Sequence, residues 1–193
     1  MRVSIDLHPA DNGAVRNQNQ WIRFFNEQER IMISAPDVYQ AGKYASDEVL
    51  SSLRRTFDEY WLILSTRPIY SGDDLSGRII QNYGSKVVRP SPTDVPVIPV
   101  YDGTPLTQAL QTKEGVSYLQ ALLDTSDEPR DIAGTLEKLS KRGEDRIELW
   151  TPSQASRQYY DRERGVRFYY YGDRFRVGGN IHLVTVGLSR GVS

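Results

Sequence analysis

Two spacings of apolar residues take turns along this chain, one of period two and one of helical period. Val3, Ile5 and Leu7 alternate with polar residues and predict a short strand, closed by Pro9 and the turn signal Asp11-Asn12-Gly13. From about residue 16 to 30 the spacing becomes helical, with Trp21, Phe24, Phe25 and Gln28 on one face. Ser46-Asp47-Glu48 opens a second helix, whose inner stripe is Val49, Leu50, Leu53 and Phe57. The compact run Tyr60-Trp61-Leu62-Ile63-Leu64-Ser65-Thr66 predicts a buried central strand. A short helix is expected from about Asp74 to Tyr83, with Gly84 at its C-cap.

The next stretch is less regular. Lys86-Val87-Val88 and Val97–Tyr101 are strand-like, but Pro90, Pro92, Pro96 and Pro99 remove backbone donors. Residues 89–99 are therefore expected as an edge strand or an extended internal linker. Thr104-Pro105 starts a helix lined by Leu106, Leu110, Val116, Leu119, Leu122 and Leu123, with Gly115 as the place where it bends or divides. Asp127-Glu128-Pro129 starts another, carrying Ile132, Leu136 and Leu139 to a stop at Gly143. Arg146–Trp150 reads as a strand. The tail, Val166–Tyr171, Arg174–Val177 and Ile181–Leu188 with glycine turns between, reads as an antiparallel meander. The expected fold class is α/β, with α+β as the neighbouring alternative. It would hold one mixed β-sheet, flanking helices and a C-terminal antiparallel meander, in one domain over residues 1–193.

Composition narrows the chemistry. At 193 residues, 38% hydrophobic and 25% charged, the chain is suited to a packed core. It has no cysteine, which excludes disulfides, thiolate catalysis and cysteine zinc sites. Only His8 and His182 are present, leaving little room for a histidine triad. No metal site is expected and no cofactor is identified. No run approaches the roughly 18–20 apolar residues that span a bilayer, and residues 1–9 lack a signal-peptide core. The expectation is a soluble, cytoplasmic protein without a membrane partner.

The net charge of −1 conceals a division. Residues 91–152 hold six Lys/Arg against eleven Asp/Glu, whereas 153–193 hold seven Arg against three acids. An acidic middle and an arginine-only tail suggest a partner of opposite sign. Arginine also outnumbers lysine nineteen to five, and its planar fork suits phosphates and aromatic rings.

Two constellations follow. On the expected meander, Val166, Phe168, Tyr170, Phe175 and Val177 face the core, so Arg167, Tyr169, Tyr171, Arg174 and Arg176 share the other face. With Arg157 and Arg164 they make a candidate platform for nucleic acid or another polyanion. The plainer reading has tyrosines packing over arginine stems, with Asp161, Glu163 and Asp173 pairing the charges. The second constellation is a crevice beyond the carboxyl ends of strands. There Arg67, Arg78, Asp102 and His8 are candidates to bind a phosphorylated small molecule, helped by the turn Ser71–Arg78 if it leads into a helix. Asp73 and Asp74 are alternatively helix caps. Asp145 and Glu148 point to opposite faces of a regular strand, so they do not form a two-metal carboxylate pair. Trp21, Trp61 and Trp150 are expected in the core.

Three functional readings result. The first is a binding module for nucleic acid or polyanion through the Arg/Tyr face. The second is an enzyme or sensor using the strand-end crevice. The third is a self-assembling protein, the acidic middle of one copy docking the basic tail of the next.

Overall fold

The computed structural model describes residues 4–159 and 162–192, so Val3, Tyr160 and Asp161 lie outside the described residues. Among the described residues seven helices form: α1 (Gln18–Glu27), α2 (Ala35–Tyr44), α3 (Asp47–Glu59), α4 (Leu106–Ala109), α5 (Lys113–Leu123), α6 (Pro129–Ser140) and α7 (Gln154–Tyr159). Twelve short strands among the same described residues accompany them. In chain order they are β1 (Arg16–Asn17), β2 (Ile31–Met32), β3 (Leu62–Leu64), β4 (Arg67–Tyr70), β5 (Gly77–Gln81) and β6 (Ser91–Val95). The rest are β7 (Asp102–Pro105), β8 (Ile147–Trp150), β9 (Gly165–Tyr171), β10 (Arg174–Ile181), β11 (Val186–Gly187) and β12 (Gly191–Val192).

The mixed sheet has five strands in the order β3-β9-β10-β8-β7. β10 runs parallel to β8 and antiparallel to β9, while β3 opposes β9 and β7 opposes β8. So β3, β8 and β10 point one way and β7 and β9 the other. One face buries Leu62, Leu64, Val166, Phe168, Phe175, Val177, Ile147 and Leu149 against the apolar stripes of α2, α3, α5 and α6. Phe57 of α3 sits edge-on to Tyr170 and tilted on Phe175, each ring near 5–6 Å from its neighbour. A smaller antiparallel sheet has the order β4-β5-β6, and β1–β11 and β2–β12 form two-stranded pairs.

Several expectations change. The helix expected at 74–83 is a turn followed by β5. Asp74 Oδ1 accepts from Ser76 N–H at 2.8 Å, closing a local turn instead of capping a helix. Ile79 and Ile80 are β-branched, and they register with Pro68 and Arg67 on one side and Thr93 and Pro92 on the other. Pro92 is accommodated because β6 is an edge strand.

α2 is an element that the apolar spacing did not suggest, since its buried positions are Ala35, Val38, Tyr39, Ala41 and Gly42. Its signal is a capping box: Ser34 accepts from Asp37 N–H, and Asp37 accepts from Ser34 N–H. The helix beginning at Thr104 gives way to β7, α4 and α5. Division falls at Thr112, whose side chain accepts from Gly115 N–H at 3.1 Å. Gly115 is required there, because a Cβ would collide with the Ala109 carbonyl.

At the ends of the chain, Ile5 makes only a bridge to Val192 rather than a strand. β10 ends at Ile181, and the third meander strand is reduced to β11, which pairs β1. β3 lies at the sheet's edge rather than its centre. It stays buried because Leu188 exchanges backbone hydrogen bonds with Ile63 and Trp61. Arg190, also buried, ties this last segment to α3 by donating to the Ser52 carbonyl at 2.9 Å and Ser52 Oγ at 3.0 Å. No helix among the described residues is long and apolar enough to cross a membrane.

Candidate functional site

Cross-strand registry assembles the second face of the five-stranded sheet. Arg174 lies opposite Tyr171, Arg176 opposite Tyr169, and Gly178 opposite Arg167. On the far side of β10, Arg176 meets Glu148 and Gly178 meets Trp150, and Trp150 meets Asp102 across β7. Side chains on one strand face project every second residue, so these positions form a continuous surface.

The surface is a ladder of guanidinium groups and rings. Arg167 Cζ lies 4.0 Å from the ring centroid of Trp61 and 4.2 Å from that of Tyr169. Arg176 Cζ lies 4.3 Å from the Tyr171 ring and 4.8 Å from the Trp150 ring. These are cation–π distances. Tyr169 is buried beneath the two guanidinium groups, whereas Trp61 and Tyr171 are exposed and Arg167, Arg174, Arg176 and Trp150 partly so. Gly178 forms the low centre of the surface, since its added Cβ would come 3.7 Å from Arg167 Cγ and 3.8 Å from Tyr169 Cε1.

Electrostatics divide the arginines. Arg176 Nε donates to Glu148 Oε2 at 2.9 Å, and Arg174 Nε lies 3.7 Å from Glu148 Oε1. Burial works against the Arg176 charge, but hydrogen bonding to Tyr169 and Glu148 outweighs it and the pKa is raised. For Arg167, burial prevails and lowers the pKa, despite opposing contributions from Tyr169. Its Nη2 donates to Tyr169 Oη at 3.2 Å, while Nε is buried without a partner among the described residues.

Placement of the remaining candidates separates them from this surface. Arg157 is buried, donating to the carbonyls of Ile98, Pro99 and Pro152 at 2.8–3.1 Å and lying over Tyr70. Arg164 is buried as well, and its Nη1 donates to the Glu163 carbonyl at 2.9 Å. Both are enclosed because they tie loops together. Trp61 and Trp150, expected in the core, instead stand on the open face; only Trp21 is fully buried. No apolar pattern distinguished them: Trp150 ends β8, whose positions alternate buried and half-buried, and Trp61 comes just before β3, which is buried at every position.

Arg67, Arg78, Asp102 and His8 do not converge. Arg67 is buried, donating to Gln18 Oε1 and Glu163 Oε2 at 2.9 Å each and stacking 3.6 Å from Tyr83. Arg78 is exposed and paired with Asp94 at 2.7 Å. His8 lines a depression with Asp6 and Arg30. No helix follows Ser71–Arg78, so the anticipated amide cradle is not formed.

Asp102 alone of the four reaches a strand-end crevice. The crevice is about 310 Å³ and is lined also by Trp150, Ser153, Ser156, Arg164, Asn180 and His182. Among the described residues, no three His, Asp or Glu side chains gather as a metal site. No protein-family model, curated protein or solved structure matches this chain.

Proposed function

We propose that the open face of the five-stranded sheet binds single-stranded nucleic acid. The observation that carries this reading is the unbroken row Trp61–Arg167–Tyr169–Arg176–Trp150, with Tyr171 beside it. Flat rings held at a sheet surface stack on unpaired bases whatever their sequence, and arginine adds phosphate contact and its own planar stacking. Glu148 and Asp173 offset part of the positive charge, so stacking supplies more of the affinity than counterion release does.

Fluorescence anisotropy with labelled oligonucleotides of about a dozen residues tests this. Binding is expected for single strands and not for duplexes. With two to three phosphates neutralised, the logarithmic salt slope is about −1.5 to −2. The double substitution Arg167→Ala with Arg176→Ala abolishes binding while the chain stays folded by circular dichroism. No anisotropy change at up to about 100 μM protein in low salt, or full affinity in the double variant, overturns the proposal.

A further inference from the structure

The parallel pair β8 and β10 ends where β7 and β9 begin, and the crevice opens at that edge. Sheets with parallel strands place ligands beyond the carboxyl ends of those strands. The volume of about 310 Å³ falls at the lower end of the roughly 300–1,000 Å³ of small-ligand pockets. Its chemistry is distinctive in one respect. Among the described residues, none donates to or accepts from the side chains of Asp102, Asn180 or His182. Asp102 and His182 are exposed and Asn180 half-buried, so a carboxylate, an amide and an imidazole line one space open to an incoming ligand.

Trp150 belongs to both surfaces. Its indole meets Arg176 on the sheet face and also lines the crevice. Asp102 sits directly across from it in the register of β7 and β8. The close approach depends on Gly103, which has φ +71° at a bulge in β7 and leaves room for the ring; an added Cβ would lie 3.1 Å from Trp150 Cζ2. A base stacked at the Trp150 end of the row therefore brings its sugar to Asp102.

We infer that the crevice holds the ribose of a nucleoside unit. Asp102 accepts from the sugar hydroxyls, and Asn180 and His182 serve the sugar or the base edge. A carboxylate has four lone-pair sites for a vicinal diol, and the 2′-hydroxyl is the group that distinguishes RNA from DNA. The inference rests on the sheet-face reading for its ligand class and adds to it a selection for ribose.

The test is an NMR titration of the full chain with adenosine and cytidine, and with their 2′,3′-dideoxy counterparts. Three tryptophans and two histidines make the indole and imidazole signals few enough to assign by substitution. Ribonucleosides are expected to move the His182 and Trp150 signals and leave His8 unmoved. The dideoxy compounds bind at least about tenfold more weakly, since a site built for hydroxyls rejects ligands that lack them. Asp102→Ala brings the two sugars within about twofold of each other by removing that acceptor.

Equal binding of both sugars, or no response of His182 to any ribonucleoside, overturns the inference. Oligonucleotides that bind through Arg167 without ribose preference sink the crevice and leave the sheet face standing. Asp102-dependent binding of ribonucleosides, without oligonucleotide binding, supports the crevice and sinks the sheet face.

Discussion

Arg167 lies over the ring of Trp61, guanidinium carbon to ring centroid 4.0 Å, across the edge of the five-stranded sheet. An ammonium can also lie over a ring, but planar stacking depends on the guanidinium plane, which lysine does not provide. Arg167→Lys therefore keeps the charge but loses the ladder. Oligonucleotide affinity is expected to fall about three- to tenfold, a loss comparable to one weakened stacking contact, with the salt slope unchanged. Anisotropy titrations at several salt concentrations check both quantities. Full affinity with an unchanged slope in this variant would show that charge alone matters.

Arg157 has the opposite role. Three backbone carbonyls accept from its guanidinium, which also covers the Tyr70 ring. Arg157→Ala takes the donor from the Ile98 and Pro152 carbonyls, leaves Pro99 only the Thr151 hydroxyl and opens a cavity, at a cost of about 3 kcal/mol or more. Urea unfolding monitored by circular dichroism measures the shift. Oligonucleotide affinity of the folded fraction should be unchanged, separating this arginine from those on the open face.

Two helical glycines give a paired test. In Gly115→Ala the new methyl meets the Ala109 carbonyl and comes 2.5 Å from Tyr101 Oη, so the α4–α5 junction must shift. A loss of about 2–3 kcal/mol is expected from such overpacking. Gly134 in α6 has nothing within 4 Å of an added Cβ. Gly134→Ala should stabilise by about 0.5–1 kcal/mol through helix propensity and reduced unfolded-state entropy. Thermal melts of the two variants, run side by side, read the opposite signs.

Alkaline pH should unfold the protein through its tyrosines. Burial is the first cause that raises the pKa of Tyr39, Tyr70, Tyr101, Tyr118 and Tyr170 above the ordinary value of 10.0. The unfolded chain releases these protons near pH 10, and the folded chain holds them to higher pH. Above about pH 10 the native state thus binds more protons, so stability is retained in full below that pH and falls as pH rises through and beyond it. Phenolate absorbance should show these five tyrosines ionising only as the protein unfolds. Reversible ionisation of these five near pH 10 with the fold intact would contradict this.

Legibility in the sequence followed the strength of local pattern. α1, α3, α6, β8, β9 and the first part of β10 stand where apolar period and caps place them. The shared face of Arg167, Tyr169, Tyr171, Arg174 and Arg176 follows from strand alternation alone, and the register agrees. β5 misled because the Asp-rich turn before it resembles a helix start, and only pairing on both sides selects the strand. α2 was hidden because small residues, fitted closely to Thr135 of α6, replace a large apolar stripe. Asn180 lies near the end of β10, where the sequence reads as a glycine turn, and His182 just beyond it, and nothing local relates them to Asp102.

By itself, the order of residues determined the mixed α/β character, the absence of thiol chemistry and which tail residues share a face. These depend on composition and on backbone periods of 2 and 3.6, which are local. Tertiary structure decided which arginines remain available. Burial and pairing are set by what folds over a side chain from distant segments, as Pro99 and Ile98 do over Arg157, and Gln18 beside Arg67. It also decided that Trp61 and Trp150 stand outside the core. An indole ranks as apolar in any pattern, but its place in a sheet depends on whether a second layer covers that face. On this face, the covering groups are arginines.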